Sequence, residues 1–177
     1  MIGLLIIISC MLIFTLYKTE IIGGGNIRIA ELNDAEIIRE LGNKYVYDCY
    51  INELKSNKDA ILRQHSVNTV KEIIKDGNTF VYDDGTVRGF ISLHKSDVCS
   101  IVLLCVDNSI RRKGIGSKLL KHALSLYDLD YCLEIDWYNS MKSELIKYYN
   151  KYGFNVVEKR KPEWIKMTKL RKKSESY

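Results

Sequence analysis

The sequence predicts an α/β domain over residues 26–170 behind an apolar N-terminal segment, and three stretches predict it. Residues 101–127, IVLLCVDNSIRRKGIGSKLLKHALSLY, read as a buried strand, a basic glycine turn and an amphipathic helix. Residues 79–93 read as a hairpin, with Thr79–Tyr82 and Val87–Leu93 joined by Asp83-Asp84-Gly85. Residues 131–154 repeat the change of period, from an alternating strand to a helical stripe closed by Gly153-Phe154.

Taken in order, the chain opens on Met1 to Tyr17, which carries no charged side chain and is almost wholly apolar. At about 1.5 Å per residue it spans roughly 25 Å, near the lower limit for a transmembrane helix. It lacks the basic start and the Ala-x-Ala site of a cleaved signal peptide, and it lacks the polar face of a surface helix. Residues 1–18 are therefore expected to be an uncleaved single-pass anchor in a lipid bilayer. Gly23-Gly24-Gly25 makes 19–25 a flexible linker. Lys18 and Arg28, set against Glu20 and Glu31, place the domain on the cytosolic side. Five cysteines without metal-ligand spacing, and the absence of any Asn-x-Ser/Thr acceptor, agree with a reducing compartment.

Ile27, Ile29 and Leu32 suggest a first strand, and Asn33 followed by Glu36 suggests a helix start before Ile37, Ile38 and Leu41. Residues 44–65 are ambiguous, since Tyr45, Tyr47, Tyr50 and Ile51 suit either a longer helix or a loop. Ser66 caps a helix carrying Val70, Ile73 and Ile74, which Asp76-Gly77 ends. Beyond the hairpin, Ile101–Val106 is a buried strand, and Ile115, Leu119, Leu120, Ala123, Leu124 and Tyr127 form the apolar stripe of the next helix. Tyr131–Trp137 alternates as a fifth strand. Leu145, Tyr148, Tyr149 and Tyr152 share a stripe on the last helix, and Val156-Val157 with Trp164–Leu170 supply two final strands around Pro162. The charged residues 171–177 form a basic tail, expected to be disordered.

The net charge of +5 is modest and concentrated in Arg111-Arg112-Lys113 and in the tail. That balance suits an anionic small molecule, and also an anionic membrane surface or, less well, nucleic acid, and by itself does not choose among them. The turn Arg111-Arg112-Lys113-Gly114-Ile115-Gly116 is built for an anion. Its glycines allow close backbone approach, and the helix that follows exposes unpaired amides at its positive end. A dinucleotide fingerprint would need a glycine at Leu119, and a P-loop would need Gly-Lys-Ser/Thr where the chain has Gly116-Ser117-Lys118. Neither fits.

The turn instead resembles the acetyl-CoA turn of the GNAT N-acetyltransferase superfamily, Arg/Gln-x-x-Gly-x-Gly/Ala, through Arg111, Gly114 and Gly116. Leu103–Asp107 is similar to that family's fourth strand, Gly89-Phe90 to the start of its third, and Tyr149-Asn150-Lys151-Tyr152-Gly153-Phe154 to its Tyr-x-x-x-Gly-Phe ending. The resemblance implies a mixed, mostly antiparallel central sheet flanked by helices. It also implies transfer of an acetyl group from acetyl-CoA to an amine acceptor, a small molecule or a protein, without a metal. In that reading Arg111, Arg112, Lys113, Gly114, Ile115, Gly116 and Ser117 cradle the diphosphate. Leu104, Cys105 and Val106 pair with the pantetheine arm, Asn139 adds a polar contact, and Tyr149 protonates the departing thiolate. The first helices and residues 44–65 would wall the acceptor site.

The general base is less defined. Some family members carry a glutamate early in the fourth strand, where this chain has Ser100, so Glu134 stands as the candidate base beside Asp136, His94 or a water relay. Tyr148 is a core residue or a substitute for Tyr149. A catalytically silent acyl-CoA-binding or scaffold protein of the same fold is the competing class.

Overall fold

The computed structural model describes residues 24–46, 66–136, 142–160 and 164–171. The expected anchor, the linker before Gly24, most of the ambiguous stretch, Asn139 and the tail beyond Arg171 lie outside them. Among the described residues, no helix is long and apolar enough to cross a membrane.

Seven strands form one sheet in the order β1-β2-β3-β4-β5-β7-β6. They are β1 (Asn26–Ile29), β2 (Thr79–Asp83), β3 (Val87–Lys95), β4 (Val98–Val106), β5 (Asp130–Asp136), β6 (Asn155–Arg160) and β7 (Trp164–Lys169). Every pairing is antiparallel except β4 with β5, which is parallel. Helices α1 (Ala35–Val46) and α2 (Val67–Lys75) cover one face, while α3 (Ile115–Leu126) and α4 (Lys142–Asn150) cover the other. This is the mixed, mostly antiparallel arrangement expected.

Alternation along the strands divides the core. Phe90 packs with Ala35, Ile38, Val70 and Ile74 on the α1/α2 side, while its neighbour Ile91 packs with Leu119, Leu120 and Ala123 of α3 on the other. The α3 stripe is therefore buried as its period requires. Gly89 is close-packed for a specific reason: a Cβ there would stand 2.9 Å from the Cys105 carbonyl oxygen and 3.4 Å from the Leu119 side chain. The backbone of β3 can lie under α3 only without one.

Ser66 caps α2 as expected, its hydroxyl accepting from the Thr69 amide. The start of α1 differs. A 3-10 turn at Leu32–Asp34 precedes the helix, and the reciprocal cap is made by Glu31 and Asp34, not by Asn33 and Glu36. Asp34 is recruited because Arg28 on β1 donates to both of its oxygens, at 2.7 and 2.9 Å, while also bonding Asp83 on β2. Asp83 lies 55 residues from Arg28, so the local capping pattern could not reveal what fixes the guanidinium.

The Arg28 hydrogen bonds hold the Asp34 carboxyl below the usual carboxylate range, against an opposing effect of burial, and the Glu31 amide adds to the lowering. A depressed acid stabilises the fold above its unfolded pKa of about 4, and that contribution disappears as the pH falls through its folded value. Asp34→Asn should therefore cost about 1–2 kcal/mol at pH 7, the modest end for a charged hydrogen bond because Arg28 stays one-third exposed. Its melting temperature should also fall less steeply than that of the unaltered chain below pH 4, as thermal melts across pH would record.

Candidate active site

β4 and β5 are paired only over Val98–Ile101 and Asp130–Leu133. Beyond that point β4 continues along β3 to Val106 while β5 follows β7 to Asp136, so the two parallel strands part in the middle of the sheet. The separation coincides with a bulge. Ser92 opposes Leu103 and Leu93 opposes Ile101, which leaves Val102 as the extra residue, 57% exposed. A bulge bends its strand and turns neighbouring side chains to new directions.

The gap is a small cleft lined by Val102, Leu103 and Leu104 of β4, Glu134 of β5, and Leu145 and Tyr149 of α4. Tyr149 is 8% exposed, with its ring edge-on to Phe154 at 5.7 Å and to Tyr148 at 5.1 Å. It belongs to the α3/α4 side of the core together with Leu133 and Ile135. Strand alternation consequently puts Glu134 on the opposite face, where it is exposed. A phenol from one face and a carboxylate from the other thus meet one opening through the sheet.

Among the described side chains, His94, another sequence candidate for a base, does not line this cleft. His94 is exposed near the end of β3, opposite Ser100. Ser100 itself is engaged with Cys132 across the parallel pair, Oγ to Sγ 3.1 Å. Asp136 closes β5 at the far end of the β7 ladder.

Val106 leads into Asp107, a 3-10 turn at Asn108–Ile110, and then the glycine turn. The amide and hydroxyl of Ser109 bond the Asp107 carboxylate and hold it below the usual range, with Arg88 nearby. Arg111 folds back, its Nε donating to the Val106 carbonyl at 3.0 Å and tying the turn to the end of β4. Arg112 adopts a positive φ of 66° and reaches Glu144 in the first turn of α4 at 2.7 Å. The pair is largely exposed. Lys113 is exposed.

Gly114 is the N-cap of α3 at φ 81°, a conformation glycine adopts without strain, and it brings no side chain to cap the helix. The first intrahelical bond runs from Lys118 N to Gly114 O, so the amides of Ile115, Gly116 and Ser117 have no intrahelical acceptor. Among the described residues, apart from its chain neighbours, no heavy atom lies within 4 Å of where a Gly114 Cβ would stand. Uncapped amides, a helix dipole and open space at one point suit a diphosphate. Leu104, Cys105 and Val106 lie on the strand that leads from the cleft to this turn. Among the described residues no cluster of His, Cys, Asp or Glu could hold a metal ion.

The sequence reading missed the cleft walls Val102, Leu103 and Leu145. Nothing in an unbroken apolar run marks which residue bulges out of register. Leu145 was visible only as part of the helical stripe.

Residues 75–156 match the family profile of the acetyltransferase (GNAT) domain. No curated protein matches the chain. Among solved structures, the chain is similar to the PaiA N-acetyltransferase of Thermoplasma acidophilum in complex with coenzyme A, at 21% identity and TM-score 0.71, over 84% of this chain and 99% of that one. It is similar to the Salmonella typhimurium protein yncA with its cofactor acetyl-CoA, at 18% identity and TM-score 0.61, over 88% and 98%. It is also similar to an Arabidopsis thaliana protein bound to the bisubstrate analogue CoA-Ac-MVNAL, at 19% identity and TM-score 0.59, over 83% and 99%. At these identities the likeness is one of fold. Profile and fold agree with the motifs quoted above: residues 75–156 match the GNAT acetyltransferase domain, and the chain shares the fold of these acetyltransferases.

Proposed function

We propose that this protein transfers the acetyl group of acetyl-CoA to an amine acceptor. The observation that carries the reading is the opening between β4 and β5, which brings Tyr149 and Glu134 to one cleft from opposite faces of the sheet. The uncapped start of α3 lies beyond the end of β4. Relatives bound to coenzyme A, acetyl-CoA and a CoA–peptide bisubstrate analogue support the same choice of ligand.

In this reading the amides of residues 112–117 hold the diphosphate and the edge of β4 receives the pantetheine arm. The acceptor nitrogen attacks the thioester carbonyl from the Glu134 face; the new C–N bond forms as the C–S bond breaks. Glu134, directly or through water, takes the proton the amine loses, and Tyr149 returns one to the departing sulfur. Holding both partners in one cleft supplies the proximity that an uncatalysed encounter lacks. A panel of amines incubated with the protein and acetyl-CoA, with free thiol followed, tests the reading. Amine-dependent thiol release is expected, whereas coenzyme A binding with no release across the panel would leave a silent binding protein in its place.

The anchor belongs to the same proposal. Met1 to Tyr17 would hold the domain at the cytosolic face of a membrane, supported by its uncharged apolar run and the glycine linker behind it. Full-length protein should stay in the membrane fraction through an alkaline carbonate wash and keep its N-terminus by mass spectrometry. Recovery in the soluble fraction, or a processed N-terminus, would refute the anchor.

A further inference from the structure

Next to Tyr149, the hydroxyl of Tyr148 is sealed from solvent and completes no hydrogen bond. The ring lies between those of Tyr149 and Tyr152, at 5.1 and 5.3 Å. The hydroxyl sits directly behind the first turn of α3: a Cβ on Gly116 would be 3.6 Å from Tyr148 Oη and 3.7 Å from Val106 Cγ2. The hydroxyls of Ser117 and Tyr152 are within its influence, yet neither meets it in bonding geometry. A buried donor without a partner is costly, and such groups are rare in folded proteins. Burial pushes this phenol up to about 12, with Ser117 opposing the rise, so it stays protonated and can donate at neutral pH.

Resting on the cofactor reading above, we infer that Tyr148 is a positioning residue for the diphosphate, acting through Ser117. Ser117 lies in the uncapped first turn of α3, among the amides that face the anion. When the Ser117 hydroxyl donates to a phosphate oxygen, its own oxygen is left to accept, and Tyr148 is the buried donor placed to fill it. Ligand binding then completes a two-hydroxyl chain that the free protein leaves open. The chain polarises Ser117 towards the charge and fixes its rotamer. Phenylalanine at position 148 would keep the ring contacts with Tyr149 and Tyr152 and could not do this.

The test is calorimetry with coenzyme A on the unaltered chain, Tyr148→Phe, Ser117→Ala and the double variant. Ser117→Ala, which removes a bond to a charged group, should raise Kd roughly tenfold, and Tyr148→Phe about three- to tenfold. The double variant should bind about as weakly as Ser117→Ala alone, since the two hydroxyls act in series. Without ligand, the melting temperature of Tyr148→Phe should be unchanged or raised, because an unpartnered buried hydroxyl has been removed. Unaltered Kd in Tyr148→Phe, multiplicative losses in the double variant, or a lower melting temperature with normal Kd would each overturn the inference. Failure of the unaltered chain to bind coenzyme A would instead strike the cofactor reading, and this inference with it, so the two failures are told apart by the first titration.

Discussion

Gly114→Val is expected to abolish acetyl-CoA binding and to leave the domain folded. At φ 81° the position lies in the left-handed region, where a β-branched residue is strained, so the turn must rearrange to accept valine. The cost to stability should be about 1–2 kcal/mol, because among the described residues, apart from its chain neighbours, no heavy atom within 4 Å is displaced by the new Cβ and the core is untouched. The cost to binding should be far larger. In the proposed reading, the amides of Ile115, Gly116 and Ser117 would hold a diphosphate only while the turn keeps its shape and the space before it stays open. We expect affinity to fall by more than about 10²-fold, the loss of several charge-assisted hydrogen bonds at once. Calorimetry with acetyl-CoA, beside a thermal melt showing the variant folded, checks it; normal affinity in that variant would remove the glycine turn from the site.

Tyr149→Phe should reduce kcat by about 10²-fold or more, the usual contribution of a positioned acid, with little change in affinity for acetyl-CoA. The substitution keeps the ring and its contact with Phe154 and deletes the phenolic hydroxyl that would supply the proton. Measured where chemistry limits turnover, an unaltered kcat would take Tyr149 out of the reaction.

The parts of the fold that repeat a short period were legible from residues alone. The α3 stripe is buried at Ile115, Leu119, Leu120 and Ala123, and the hairpin pairs Phe80 with Ile91. Local chemistry also read true where the partner lay within a few residues, as at Ser66 and Gly114. What escaped depends on distant partners. Arg28 draws Asp34 into the cap of the turn before α1 because Asp83, 55 residues away, fixes the guanidinium from the other side. Bulging at Val102 arises from the pairing of β4 with β3, and it is invisible in a strand of uniform apolar character.

The site was legible to the same degree. The glycine turn advertised itself through its residue types, but which of two adjacent tyrosines faces the cleft depends on how α4 rolls on the sheet. Tyr149 lines the opening while Tyr148 turns its hydroxyl towards α3. Glu134 could be placed on a strand face by alternation. Only the parting of β4 and β5 brings it to the same cleft as Tyr149.

The central claim is that the cleft moves an acetyl group to an amine, and a single-turnover experiment tests it most directly. Protein in excess over acetyl-CoA is mixed with an amine selected from the panel, and free thiol and acetylated amine are counted in the same sample. The two should appear together, one for one, at a rate that falls sharply in Tyr149→Phe. Thiol release without acetylated amine, or equal rates in the presence and absence of the protein, would contradict the account.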